Sequence, residues 1–470
     1  MWLLWLATAQ AASLDLLEVA GVFGTPTATD ASATYWNPAG LAMGSGTRFQ
    51  LQASPTFGEV TVDLSDPTFG GTDHYTSSGV LPFIGLASDL GVDGLGVGLS
   101  LSVPIARSAV ATQMGGPGRY HLQDAGIETM FVSGALSYRV RNVAFGFAGS
   151  WIHSTWRATT QTETLRSLAD NLEAEGQETS YSDADLFDPN YAATLQFDDL
   201  TGQSLTLSGG LYVQASPFVG VGVSYIHGAS LTHDGPLAID FDCPPDEDAM
   251  GQFAAGLKGL CYAELEGRGQ VSYNLPWRTH LGVRWMPQGH DGGLVIDAMG
   301  GVVGWQVFTD YNLDIKVDPA SVELDDAEVR KEVAATVSQQ RQWARDNQQT
   351  FWAGLDVKGR VLEEKLLLGG RVLYDRSAVP STTLAMNNFD TDTLMTSVLM
   401  GYRVAAPIEL AVTLSQYWMA PREVSDSAFM LTLDEQYAAD ERYSYAPANG
   451  SYTASIRRIS VDLRGHFGRK

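Results

Sequence analysis

"LGVGLSLSV", residues 95–103, alternates without a break. Leu95, Val97, Leu99, Leu101 and Val103 fall on one face of an extended chain, and Gly96, Gly98, Ser100 and Ser102 fall on the other. A β-sandwich would have to expose the second face to water, and rows of Gly and Ser make poor solvated surface. A strand that crosses a membrane in a barrel has the opposite requirement: an apolar face toward lipid, and a small or polar face toward the lumen. The same alternation returns in "VAFGFAGSW" (143–151) and "VGVGVSY" (219–225). Later strands carry charge on the inner face, as in "HLGVRW" (280–285) and "ISVDLRGHF" (459–467).

Segments of this kind begin near Arg48, Leu81, Leu95, Ile127, Val143, Leu205, Val219, Glu266, Leu294, Thr350, Lys365, Leu394, Ile408 and Ser455. They predict an all-β protein: a transmembrane antiparallel β-barrel of about 14 strands, within the even-numbered series of such barrels. Closure follows from the solvent. Hydrocarbon offers no partner to an unpaired N–H or C=O, so the sheet must have no edge. Short connections such as "RVRN" (139–142) and "VAAP" (404–407) are expected at the periplasmic end, and long polar ones outside. The connection 325–349 contains neither Pro nor Gly and reads as a surface helix.

Composition removes competing classes. Charged residues make up only 18%, yet no stretch supplies the roughly 20 apolar residues of a membrane-spanning helix. A net charge of −25 argues against nucleic acid as a partner. The start, "MWLLWLATAQAASLD", is a short apolar run ending in Ala9-Gln10-Ala11, and reads as a signal peptide, 1–11. Two cysteines, Cys243 and Cys261, suggest one disulfide in an exported chain, contributing about 3 kcal/mol in the loop-entropy picture. Neither has a Cys or His at metal-ligand spacing, and His227 with His233 reads as polar surface, so no metal or other cofactor is expected.

The chain does not read as an enzyme. It has no G-x-S-x-G, H-E-x-x-H or Walker pattern, and "GLGVG" (94–98) sits inside an alternating strand. Ser460, Asp462 and His466 share the inward face, but the serine and histidine lie about 20 Å apart along one strand. With Arg284, Asp356, Lys358 and Arg360, these inward groups are expected to brace the barrel. One segment fits neither strand nor exposed loop. "TYWNPAGLAMG" (34–44) is too rich in Gly and Pro for a helix and too apolar for a solvated turn.

Four segments carry a resemblance: "GVFGTPTATDASATYWNPAGLA" (21–42), "GPGRYHLQDAG" (116–126), "GGRVLYDRSAVPSTTL" (369–384) and "NGSYTASIRRISVDLRGHFG" (449–468). In content and order they resemble FadL/TodX-type outer-membrane transporters of long-chain fatty acids and hydrocarbons. The resemblance implies a plug, or hatch, folded inside the lumen (12–46), turning at Asn37-Pro38-Ala39, and a barrel over 47–468. It also implies a bacterial outer-membrane location among outer-membrane lipid, insertion by the barrel assembly machinery, and a monomeric state. Its members bind a hydrophobic small molecule and release it sideways through a kink in the third strand, here 95–103. Gly91, Gly94, Gly96 and Gly98 would lower the cost of a bulge there, and Pro104 cannot donate to a ladder. The competing reading is a barrel acting as a surface receptor, adhesin or lipid-binding scaffold without transport.

Overall fold

A computed structural model of the protein describes residues 16–65, 70–113, 115–162, 192–240, 264–288, 293–428 and 448–468. The expected signal peptide and both cysteines, Cys243 and Cys261, lie outside the described residues.

Among the described residues, alternation along the chain produces nineteen antiparallel strands in one sheet. In order they are β1 (Thr47–Leu64), β2 (Gly71–Ser88), β3 (Leu95–Ala111), β4 (Asp124–Val140), β5 (Val143–Thr162) and β6 (Ala193–Ser216). Then come β7 (Val219–Ile226), β8 (Ala229–Asp240), β9 (Glu264–Leu275), β10 (Arg278–Trp285), β11 (Leu294–Val303), β12 (Asp310–Val317) and β13 (Gln339–Ala344). The last are β14 (Thr350–Val361), β15 (Leu366–Asp375), β16 (Thr393–Ala405), β17 (Ile408–Met419), β18 (Arg422–Val424) and β19 (Gly450–Phe467).

Five pairs continue one another end to end across an interruption (β7 and β8, β9 and β10, β11 and β12, β13 and β14, β17 and β18), so the nineteen strands make fourteen staves. Pro276 and Pro421 stand in two of these interruptions, where a residue without an N–H costs the ladder nothing. β19 returns to β1, from Thr47 opposite Phe467 to Leu64 opposite Gly450, and the sheet is closed.

Toward the periplasmic turns the outward side chains form an apolar band. Leu205 and Phe147 are each 73% exposed, as suits side chains whose solvent is lipid. Several strands begin earlier than the alternation alone suggests: β2 at Gly71 instead of near Leu81, and β6 at Ala193 instead of near Leu205. These staves run on past the membrane, where the outer face meets water and turns polar; in β6 the apolar residues Ala193, Leu195 and Phe197 point inward instead. The helix expected over 325–349 is confined to Ala327–Val337, capped by Asp326, whose side chain accepts from the N–H groups of Glu328 and Val329. Beyond Ser338 the chain becomes β13 and pairs with β12, whose unpaired edge satisfies backbone groups that helix propensity alone would have left on a polar surface.

Candidate functional site: a plugged lumen with a break in its wall

Residues 16–46 fill the periplasmic half of the lumen. Three short turns organise them, a 3-10 one over Gly21–Phe23, a helical one over Ala33–Trp36 and a second 3-10 one over Pro38–Met43. Asn37 joins the last two in an extended conformation (φ −160°, ψ 98°), as a residue before proline should be. Its side-chain carbonyl accepts from the Ala39 N–H at 3.2 Å, and its amide donates to the Pro26 and Leu211 carbonyls at 2.9 and 3.1 Å. The expected turn Asn37, Pro38, Ala39 therefore ties the hatch to itself and to β6.

Opposite the hatch the wall is stripped of side chains. A Cβ on Gly146 would overlap the Pro38–Ala39 peptide, one on Gly210 the Asn37 side chain, and one on Gly222 the Pro26 carbonyl. Gly96 and Gly98 belong to the same set. A Cβ on Gly96 would overlap the Leu41–Ala42 peptide at 2.5 Å, and one on Gly98 the side chains of Thr34 and Leu41. Both are in regular ladder register, opposite Ser137 and Ala135 of β4, so their smallness admits the hatch instead of creating a bulge. Gly94 lies in the β2–β3 turn, with φ of 77°, a left-handed conformation that glycine adopts without strain.

Buried charge secures the seat. Arg371 donates to both Asp356 carboxylate oxygens at 2.7 and 2.8 Å, to Glu18 at 3.3 Å, and to the carbonyls of Gly21 and Gly24 at 3.0 and 2.8 Å. Arg458 reaches the other Glu18 oxygen at 3.0 Å. Lys358 donates to the Val22 carbonyl at 2.8 Å, Arg284 clasps Asp297, and Asp297 accepts from the Thr27 hydroxyl at 2.7 Å. Arg464 pairs with Asp30 at 2.8 Å, while Arg464 and Arg360 both meet Glu409. Asp462 accepts from Gln50 and Gln52, and His466 meets the Ser45 carbonyl. The inward charges thus brace the hatch against the wall as well as strand against strand. His227 and His233 go separate ways, the first beside the Tyr225 hydroxyl and the second stacked on Tyr273.

Among the described residues the wall has one long break. β2 and β3 pair from Phe83–Ser102 down to the periplasmic turn, and again at Tyr75–Ala111 and Thr76–Val110. Between these, residues 77–82 of β2 have no ladder partner on β3. On the other side, the β3–β4 register shifts between Ser102 and Ile105, at Val103 and Pro104. Residues 102–109 are all buried instead of alternating: beyond the shift β3 bends away from β2 while staying paired with β4 from Ile105 to Val110, and both of its faces are covered. The break borders the lipid band: Phe57 of β1, opposite Ser78, is 55% exposed.

Ile105, at that bend, lines a cavity of about 30 Å³ with Ile127, Tyr273, Trp305, Phe308 and Tyr311. A ligand larger than a water molecule must move these side chains to enter. The segment between β15 and β16 covers the chamber, burying Val379, Leu384, Met386 and Phe389, and the Met386 N–H meets His121 of the segment between β3 and β4. Asp390 holds this cover by accepting from the N–H groups of Ala378 and Thr391 at 2.8 and 2.9 Å, and burial pushes its carboxyl up to about 6. The folded value exceeds that of the unfolded chain, so this contribution is fully present below about pH 4 and lost as pH rises through about 6. Amide protection across 377–391, taken relative to the intrinsic exchange rate at each pH, should accordingly be lower at about pH 7.5 than at about pH 5, and Asp390→Asn should flatten the difference.

Residues 10–455 match the family described as outer membrane protein transport protein (OMPP1/FadL/TodX). The chain belongs to the FadL/TodX family. It is a β-barrel protein of the Gram-negative outer membrane, in a family of transport proteins. Among solved structures, a FadL homologue of Pseudomonas aeruginosa superposes with a TM-score of 0.73 at 16% identity, covering 99% of each chain. The toluene transporter TodX of Pseudomonas putida gives 0.62 at 12% identity over 99% of this chain and 100% of that one. The toluene transporter TbuX of Ralstonia pickettii gives 0.60 at 13% over 93% and 94%. No curated protein matches by sequence.

Sequence reading of this FadL/TodX member reached the hatch turn and the third strand but not Glu18, Arg371, Arg458 or Ser108. Glu18 did leave a signal: it is the one charged residue of "LLEVAGVFGTPTA" (16–28). Its partners lie more than three hundred positions away, and no local pattern marks them.

Proposed function

We propose that this protein is a passive conduit for hydrophobic small molecules, long-chain fatty acids or hydrocarbons, releasing them sideways into the membrane through the β2–β3 break. That break carries the proposal. The hatch closes the axial route toward the periplasm, an apolar chamber stands at the bend of β3, and the unpaired edge of β2 abuts the lipid face. The solved FadL homologue and toluene transporters, similar in fold, support an apolar cargo. Partition supplies the driving force: each CH₂ leaving water contributes about 0.8 kcal/mol, so transfer into lipid needs no coupled energy source. The protein acts as a monomer, inserted by the barrel assembly machinery.

Mass spectrometry of molecules co-purifying with the detergent-solubilised protein tests the cargo, with a variant lacking residues 12–42 as the reference. Fatty acid or hydrocarbon present in the wild type and lost with the hatch is the expected result. Phospholipid and detergent alone in both would favour a surface receptor, adhesin or lipid-binding scaffold.

A further inference from the structure

Where the β2–β3 ladder is missing, one side chain spans the gap. The Ser108 hydroxyl accepts from the Ser78 N–H at 2.9 Å and donates to the Ser78 carbonyl at 2.9 Å. It satisfies both backbone groups of the residue that a normal ladder would have paired. Ser108 is fully buried, so water does not compete for those bonds. One residue further along β2, Gly79 lets the strands close: a Cβ there would overlap the Ala106 carbonyl oxygen of β3.

We infer that Ser108 is the latch of the lateral opening, a gating residue that holds β2 against the bent part of β3 until cargo displaces it. The inference rests on the lateral-release reading. A continuous backbone ladder has to be broken along its whole length before strands part, whereas a side-chain latch opens by rotation about one Cα–Cβ bond. Unlatching exposes the Ser78 N–H and carbonyl at the edge of the hydrocarbon, where neither finds a partner, and the gap recloses once the cargo has left. The device thus combines a low barrier to opening with a penalty for staying open. Gly79 acts as the matching stop, since any larger residue keeps the strands apart.

The test is uptake of a fluorescent fatty acid and of a labelled alkane into proteoliposomes by full-length protein, with heat-modifiable migration on gels confirming barrel assembly. The two hydroxyls are 3.3 Å apart, close enough for cysteines to be joined. The double variant Ser78→Cys, Ser108→Cys should lose uptake on oxidation and regain it on reduction. Ser108→Ala should raise the uptake rate several-fold. Gly79→Ala should also raise the rate by wedging the gap, and serves if Ser108→Ala does not assemble. An oxidised pair that transports at the wild-type rate would overturn lateral release itself. Block by the disulfide, with unchanged rates in Ser108→Ala and Gly79→Ala, would overturn the latch while leaving the lateral route standing.

Discussion

Arg371→Met is expected to release the hatch and leave the barrel standing. The guanidinium is fully buried and serves five acceptors at once: two Asp356 oxygens, Glu18, and the carbonyls of Gly21 and Gly24. Removing one member of a buried charge cluster costs more than the bonds it made, because its partners stay behind unneutralised; about 3–5 kcal/mol is the usual scale. Part of the loss falls on Asp356, which retains the Lys358 ammonium at 3.4 Å, and part on Glu18, which retains Arg458. Glu18 and the two carbonyls are on the hatch, so the loss falls on docking. The ladders of fourteen staves are untouched. Limited proteolysis or hydrogen exchange should therefore show residues 16–46 opening in the variant, while the folded barrel still resists SDS at room temperature. Retained protection of the hatch would mean that shape, and not charge, holds it.

Gly146→Leu should expel the same segment by contact alone. The new Cβ would overlap the Pro38–Ala39 peptide, and backbone held by Asn37 on one side and Pro38 on the other cannot yield as a side-chain tip would. The expected readout is permeation of small polar solutes through the variant in liposome swelling, against no permeation in the wild type. Gly134→Leu is the matched control. Gly134 faces lipid on β4, its Cβ would meet only the Leu99 side chain at an ordinary 3.8 Å, and permeability should not change. The same contrast corrects the reading of Gly96 and Gly98. Expected to ease a bulge, they give room to the hatch: leucine at either position would strike Leu41, Ala42 and Thr34, so uptake lost in those variants would report on the seat of the hatch. The proposed exit is better tested at Ser78, Gly79 and Ser108.

Alternation was enough to establish a closed lipid-facing barrel and the order of its fourteen staves, because lipid imposes a period of two on every stave it touches. "LGVGLSLSV" carries that constraint in full, and Asn37-Pro38-Ala39 marks a compact turn through the fixed φ of proline and the reach of one asparagine side chain. Local chemistry is readable locally. It failed where the solvent changed or a distant edge intervened: the outer ends of β2 and β6 have no lipid to demand an apolar outward face, and 339–344 became a strand because β12 had an edge to pair. The hatch seat, the charge cluster and the break in the wall were decided by the tertiary structure alone. Glu18 meets Arg371 and Arg458 only when the chain returns on itself after some 350 and 440 positions. Ser102 and Ser108 look alike in sequence, both small polar residues of one strand. Only closure of the barrel around the hatch bends β3 between them, leaving the first in the ladder and setting the second across the gap in its place.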